Sequence, residues 1–125
     1  MQLRSVASLL DCEVVCCHEM LDLQVFSCFA ADLMSDVLAF SLPNALLITG
    51  LTSVQAVHTA DVADCKGILF VCDKRPSPEA LELARNREIP LLATRRTTFE
   101  CCGILFQRGL TAATRAAAEA PCSAK

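Results

Sequence analysis

The sequence predicts an α/β fold: a single domain with a short, mostly parallel sheet and crossover helices. Three short apolar runs, residues 45–49, 67–72 and 90–94, lack the polar alternation of a half-exposed strand. Such runs are typical of parallel strands that are buried on both faces. The segments between them are long enough for crossover helices, which predicts a βαβαβα unit over residues 45–109. A chain of 125 residues is expected to fold around one core.

Helix start and stop signals separate these apolar runs. The start signals are a capping box at residues 52–55, a serine followed by proline at residues 77–78, and a second capping box at residues 97–100. Gly109 predicts the end of the last helix, because glycine readily adopts the left-handed conformation that closes many helices.

The first 44 residues predict a helix, two extended segments and a second helix. The opening helix is indicated by apolar side chains that share one face: Leu3, Val6, Leu9 and Leu10. The two extended segments are predicted at residues 12–17 and 23–29. Asp32 is the expected N-cap of the second helix, which ends before Pro43 and whose inner face is predicted to carry Leu33, Val37 and Phe40.

The composition of the chain predicts where the domain ends, in which compartment it works and which partners are disfavoured. Residues 1–110 form the predicted domain, and residues 111–125 form an Ala-rich, flexible tail. The opening residues do not predict a signal peptide, so a cytoplasmic location is expected. The nine cysteines are scattered through apolar segments, which predicts reduced, buried thiols. A net charge of −3 disfavours nucleic acid as a partner, and no apolar run is long enough to span a membrane.

Several kinds of catalytic site are excluded by the residues available. The four glycines, at positions 50, 67, 103 and 109, fit neither a phosphate loop nor a dinucleotide-binding turn. The chain has only two histidines, and His58 lies in a predicted helix, where a structural role is expected. The sequence therefore predicts a protein that is not an enzyme and needs no cofactor.

Two cysteine arrangements are candidates for a reactive site or a metal site. Cys102 and Arg108 have the C-x5-R spacing of phosphatases, but apolar residues on a predicted helix separate them, so a buried thiol is expected. Cys16 and Cys17 would point to opposite faces of a strand and could not both bind one ion with Cys12 and His18. No metal site is predicted.

The more informative positions follow the predicted strands. In open parallel sheets, ligands bind beyond the carboxyl ends of the strands, where loops lead into helix N-termini. That rule selects residues 49–53, 73–75 and 94–97, whose hydroxyl and guanidinium groups suit an anionic small molecule. In the competing interpretation, the hydroxyls only cap helices.

The segments taken together resemble the DRTGG domain family, which is related to the N-terminal domain of HPr kinase/phosphorylase. The resemblance spans roughly residues 1–110 and is carried, in order, by residues 31–37, 46–50, 67–71, 89–94 and 98–99. The motif that names the family is incomplete: Asp22 is present, but Leu23 stands in place of the arginine, and Ser27 and Cys28 stand where threonine and glycine are expected. The family's Asp-Leu-x-Ser-Asp stretch is intact and selects Asp32, Ser35 and Asp36.

This resemblance implies regulation, because such domains are accessory modules beside enzymes and have no catalytic activity assigned to them. The first hypothesis is a free-standing regulatory module that binds a phosphorylated or nucleotide-like small molecule and modulates a partner enzyme. The candidate ligand-binding residues are Asp32, Ser35, Asp36, Thr49, Thr52, Ser53, Thr94 and Thr97. The alternative is a protein-interaction or oligomerisation module, with a homodimer as the expected assembly. An enzymatic function would require Cys102 as the nucleophile.

Overall fold

The computed structural model describes residues 1–119, and its centre is one six-stranded sheet. The strands are β1 (Glu13–Cys16), β2 (Ser27–Ala30), β3 (Leu46–Thr49), β4 (Gly67–Phe70), β5 (Leu91–Ala93) and β6 (Thr111–Ala112). Their order across the sheet is β1-β5-β4-β3-β2-β6. All neighbours are parallel except β1 and β5, so the predicted α/β fold with a mostly parallel sheet is confirmed.

Helices cover both faces of the sheet. They are α1 (Leu3–Leu9), α2 (Met34–Phe40), α3 (Val54–Val62), α4 (Pro78–Arg87), α5 (Thr98–Gln107) and the short α6 (Arg115–Ala118). One apolar cluster joins α2, α3 and α4 to the sheet through Leu47, Ile68 and Phe70, and the other joins α1 and α5 to it through Ile48 and Leu69. Successive strand residues thus enter opposite layers, as the two-residue period of a strand requires. Within residues 1–119, no helix is long and apolar enough to cross a bilayer.

The three central strands agree with the predicted apolar runs. Every residue of β3, β4 and β5 is buried. A strand with helices on both faces has no solvent side, so an apolar residue is favoured at every position. This continuous pattern distinguishes these strands from the edge strand β6, whose two residues are both exposed.

The start of α2 differs from the prediction. The helix begins at Met34, and Leu33 occupies the N-cap position without a side-chain hydrogen bond, so the assignment of Asp32 as N-cap is wrong. Of the predicted inner face, Val37 is confirmed as buried, but Leu33 and Phe40 are exposed, and Met34 is buried in their place. Several adjacent apolar residues allow more than one amphipathic face here, and contact with the sheet selects the one that contains Met34.

Two of the three predicted helix starts are confirmed. The Ser77 hydroxyl accepts a hydrogen bond from the Ala80 amide at the start of α4, and Thr97 forms a complete capping box with Glu100 at the start of α5. The predicted box at residues 52–55 is wrong: Ser53 occupies the N-cap position of α3 but makes no side-chain cap.

The end of α5 confirms the predicted role of Gly109. Its φ of +99° places it in the left-handed region. The Gly109 amide donates to the Phe106 carbonyl, and the Leu110 amide donates to the Leu105 carbonyl. These two bonds are the pair that closes a Schellman motif.

The segment after residue 110 continues the sheet. β6 pairs with β2 in parallel, with Thr111 opposite Ser27 and Ala112 opposite Cys28. The predicted domain boundary therefore falls directly before an edge strand. Residues 120–125 of the predicted tail lie outside the described residues.

Cys16 and Cys17 do not point to opposite faces, contrary to the prediction. Cys17 has left the strand and has a left-handed backbone with a φ of 60°. Its Sγ lies 3.6 Å from the Cys16 Sγ, and both thiols contact the Ile89 carbonyl oxygen. Over residues 1–119, no group of three or more His, Cys, Asp or Glu side chains could hold a metal ion.

Candidate ligand site at the strand ends

The loops that follow β3, β4 and β5 lie together at the carboxyl ends of these parallel strands and are joined by backbone hydrogen bonds. The Asp73 amide donates to the Thr94 carbonyl over 2.9 Å, which links the loops after β4 and β5. The Ser77 amide donates to the Thr52 carbonyl over 3.0 Å, which links the loops after β4 and β3. Residues 71–77 therefore connect the two outer loops, which contain most of the predicted site residues.

The Asp32 side chain closes the loop after β3. Its Oδ1 accepts hydrogen bonds from the Gly50 amide at 2.7 Å and from the Thr49 hydroxyl at 3.1 Å. Lys74 lies beside the same loop, because a Cβ added to Gly50 would lie 3.5 Å from the Lys74 Nζ. Asp32 therefore connects the segment before α2 to the end of β3, instead of capping its own helix.

Two buried threonines shape the ends of their strands. The Thr94 hydroxyl donates to the Leu10 carbonyl at 2.7 Å and accepts from the Arg96 amide at 3.2 Å. The Thr49 hydroxyl, which donates to Asp32, accepts from the Leu51 amide at 3.1 Å. Each threonine thus accepts from the amide two residues later, which closes a tight turn. Neither hydroxyl caps a helix, and both are committed to bonds within the protein.

A pocket of about 360 Å³ lies at the ends of β4 and β5. We call it the arginine pocket, and its charged lining is Arg75, Arg95, Arg96, Asp11, Glu13 and Asp73. Three ion pairs join these groups: Arg75 to Glu13 at 2.6 Å, Arg96 to Asp11 at 3.2 Å, and Arg95 to Asp73 at 4.0 Å. The lining therefore contains three guanidinium groups and three carboxylates, and its formal charge is balanced.

The three ion pairs differ in the distance between their charged groups and in the exposure of the arginine. Hydrogen bonding to the Arg75 guanidinium lowers the pKa of Glu13, and the same bond raises the pKa of Arg75. The Arg95 side chain is 92% exposed and reaches Asp73 only at 4.0 Å. The buried Nε of Arg96 has no hydrogen-bond partner among the described residues. Arg95 is therefore the guanidinium most available to a ligand.

The structure divides the predicted site residues between two places. Thr94 lines the arginine pocket, and Thr97 starts the helix that follows it. Asp32 and Thr49 meet each other at the end of β3. The remaining candidates lie near that second place, at the starts of α2 and α3: Ser35, Asp36, Thr52 and Ser53.

Two acidic residues of the pocket, Asp11 and Glu13, are not among the predicted site residues; they come from β1 and the turn before it. They lie there because β1 pairs with β5 in antiparallel orientation, with Glu13 opposite Ala93. No local pattern reports a pairing between segments so far apart in the chain. The adjacent Arg95 and Arg96, which lie within the selected residues 94–97, line the same pocket.

Among the described cysteines, Cys16 and Cys101 are buried, Cys72 is exposed and the others are partly buried. Burial raises the pKa of Cys102, which lies within α5, and raises the pKa of Cys28 to about 12. A thiol with a raised pKa is a poor nucleophile at neutral pH, because the thiolate is the reactive form. His58 lies exposed on α3.

The capping box of α5 makes stability depend on pH. The Glu100 carboxylate accepts hydrogen bonds from the Thr97 amide and hydroxyl, which hold the pKa of Glu100 below its usual value of 4.5. A lowered folded-state pKa means that the contribution is present above pH 4.5 and is lost as the pH falls through the folded-state pKa. We expect Glu100→Gln to be less stable than the wild type at pH 7, and this difference to narrow at acidic pH.

Urea denaturation over a series of pH values measures this difference. Glu82→Gln, at an exposed position on α4, is the control and is expected to match the wild type at pH 7. A Glu100→Gln difference that stays constant from pH 7 to below pH 4.5 would contradict this role of the carboxylate.

Comparison with known proteins agrees with this architecture. A family model described as the DRTGG domain matches residues 5–107. A solved structure of the CBS and DRTGG domains from the regulatory region of Clostridium perfringens pyrophosphatase, complexed with the activator diadenosine tetraphosphate, superposes with a TM-score of 0.69 at 17% sequence identity. The match covers 85% of this chain but only 46% of that one, and at this identity it supports the fold alone. No curated protein is similar enough to count as a relative.

Proposed function

Because the chain belongs to the DRTGG domain family, we propose that it is a regulatory module that binds a phosphorylated or nucleotide-like small molecule and modulates a partner enzyme. The arginine pocket is the observation that carries the proposal. Support for the regulatory role comes from the pyrophosphatase structure, in which a DRTGG domain is part of a regulatory region. A cytoplasmic location belongs to the same proposal, because Cys16 and Cys101 are buried as small apolar side chains.

In this proposal, Arg95 provides the first contact with the ligand. A phosphate oxygen forms a charge-assisted hydrogen bond with a guanidinium group, and such bonds are about twice as strong as neutral ones. Breaking the ion pair between Arg95 and Asp73 to bind the phosphate costs little free energy, since this pair spans 4.0 Å on the surface. Asp73, once released, accepts a hydrogen bond from a hydroxyl or amine of the ligand.

The balanced charge of the pocket favours a ligand with one phosphate over a polyphosphate. Each additional phosphate brings negative charge close to Asp11, Glu13 and Asp73. Like charges at close range disfavour binding, most strongly where solvent screening is weak. A nucleoside monophosphate combines one anionic group with hydroxyl and amine donors, so it matches both signs of charge in the lining. The volume of about 360 Å³ falls within the usual range for small-molecule sites.

The second group of candidate residues provides a route from the ligand to the partner. The loop after β4 contains Asp73 of the pocket and also donates from Ser77 to Thr52. A ligand that repositions Asp73 acts through this loop on residues 49–53, and Asp32 carries the shift to the start of α2. We therefore propose that ligand binding is communicated to the partner enzyme at Ser35, Asp36 and Ser53.

Calorimetry and thermal shift with defined compounds test this function. The panel is AMP, ATP, diadenosine tetraphosphate, adenosine and inorganic phosphate. We expect AMP to stabilise the domain most, and Arg95→Ala to weaken its binding about tenfold or more, because a hydrogen bond to a charged group is lost.

The control variant is Arg4→Ala. Arg4 forms an exposed ion pair with Asp22 outside the arginine pocket, so its removal is expected to leave binding unchanged. A flat response to every compound would contradict the ligand-binding function. Tighter binding of ATP than of AMP would contradict only the argument from balanced charge.

The second candidate function, association with another protein chain, is favoured by aromatic side chains on the surface. Phe26 and Phe106 are 71% and 73% exposed. Phe106 also borders an apolar pocket of about 230 Å³ between α5 and the edge formed by β2 and β6. Contiguous apolar surface of this kind commonly marks an interaction site. The proposed assembly is a homodimer.

A further inference from the structure

The outward face of α5 carries two exposed phenylalanines, beside the exposed Glu100 and Gln107. Phe99 and Phe106 are 87% and 73% exposed, and they are seven residues apart. Seven residues are close to two turns of an α-helix, so both rings project from the same side. Gly103 lies between them on that side and is exposed as well.

Within residues 1–119, no contact explains a glycine at position 103. It occupies the middle of α5, where glycine costs about 1 kcal/mol relative to alanine. A Cβ added at this position would meet no atom within 4 Å, and its φ lies outside the left-handed region. Neither close packing nor backbone conformation in the monomer therefore requires glycine. The missing side chain of Gly103 leaves a recess between the projecting rings of Phe99 and Phe106.

This face continues into the edge of the sheet. Phe106 lines the apolar pocket together with Thr111 of β6, and the Phe26 carbonyl accepts from the Thr111 amide at 3.2 Å. We call the surface made by Phe26, Phe99, Gly103, Phe106 and the apolar pocket the α5 patch. None of the residues that line this pocket is charged.

The size of the α5 patch is suited to a dimer. A phenylalanine contributes about 150–250 Å² when it is buried, so the three exposed rings offer about 450 Å² per copy. Two copies would bury about 900 Å² through the rings alone, and specific interfaces bury about 1,200–2,000 Å² in total. The residues around the rings supply the remaining area when the two surfaces meet.

We propose that the α5 patch binds a second copy of this chain, with the two α5 helices antiparallel and a two-fold axis close to Gly103. A two-fold contact joins a surface to itself, so the surface must carry both projections and recesses. The α5 patch has both: the phenylalanine rings project, and Gly103 and the apolar pocket receive them. The inference rests on the association proposed above and names its surface and its partner. It is independent of the arginine pocket.

Light scattering coupled to size-exclusion chromatography over the micromolar range tests the assembly. The expected mass of the wild type is twice the 13.5 kDa of one chain. Gly103→Glu fills the recess with a charged side chain and is expected to yield a monomer. Because the added side chain points into open space and glutamate favours helix, this variant is expected to remain folded by circular dichroism.

A second variant removes a projection. Phe106→Ser is expected to weaken dimerisation about tenfold or more in sedimentation experiments, as the loss of a central aromatic ring does in other interfaces. The matched controls are Asn86→Glu on the exposed side of α4 and Phe40→Ser at the end of α2, and both are expected to remain dimeric.

The outcomes separate the inference from the association on which it rests. A monomeric wild type would overturn both. A dimeric wild type whose Gly103→Glu and Phe106→Ser variants are also dimeric would leave the association in place and overturn its assignment to the α5 patch.

Discussion

Replacement of Phe70 by alanine is expected to lower the free energy of unfolding by about 3–5 kcal/mol. Phe70 is among the largest fully buried side chains and lies at the end of β4, between Thr49 of β3 and Ala93 of β5. Alanine would leave a cavity in the layer that packs α3 and α4 on the sheet. Because small domains are stable by only about 5–15 kcal/mol, a loss of this size is a large fraction of the total.

Urea denaturation measures this loss as a lower midpoint with an unchanged slope. Phe40→Ala is the matched control: this ring is 62% exposed, and its removal is expected to change stability by less than about 0.5 kcal/mol. Similar losses in the two variants would contradict the placement of Phe70 in the core.

Thr94→Val is expected to be the next most damaging change and to cost about 2–4 kcal/mol. Valine keeps the shape of the side chain but removes the hydroxyl that donates to Leu10 and accepts from Arg96. A buried polar group that loses its partner costs about 1–3 kcal/mol, which applies to the Leu10 carbonyl, and the partly buried Arg96 amide adds about 1 kcal/mol. Because these bonds hold the loop after β5, the stabilisation by AMP is expected to be lost as well.

The control for this change is Thr111→Val. That hydroxyl is exposed and contacts the Phe26 carbonyl at 3.4 Å, so its loss is expected to be nearly neutral. Chemical denaturation gives the stability of both variants, and thermal shift with AMP gives their binding. A Thr94→Val domain as stable as the wild type would contradict the internal role of this hydroxyl.

The central strands and the extended segment that contains β1 follow from local sequence, but the pairing at the two edges of the sheet does not. The strands β3, β4 and β5 lie within the predicted runs because burial on both faces leaves a continuous apolar signal. The pairing of β1 with β5 joins residues 13–16 to residues 91–93, and no local pattern encodes such a contact. β6 has only two residues and is fixed by its neighbour β2.

For the candidate site, the sequence predicts a position on the sheet, and the structure shows how the individual residues there are bonded. The strand-end rule selected the ends of β4 and β5, where the arginine pocket lies, because that rule depends on topology. It also selected threonines, and two of them prove to be bound internally: Thr49 to Asp32 and Thr94 to Leu10. Hydroxyls near strand ends are equally suited to closing a turn and to binding a ligand, and sequence does not distinguish these uses.

The left-handed backbone after β4 places an exposed cysteine, to which a spectroscopic probe can be attached, beside the arginine pocket. Cys72 and Asp73 both have φ near +60°, and this turn leaves the Cys72 side chain exposed next to a residue that lines the pocket. Among the cysteines of residues 1–119, Cys72 is the exposed one. A fluorophore attached to its thiol would thus sit beside the pocket and report ligand binding as a change in emission, since the other described thiols are buried or only partly exposed.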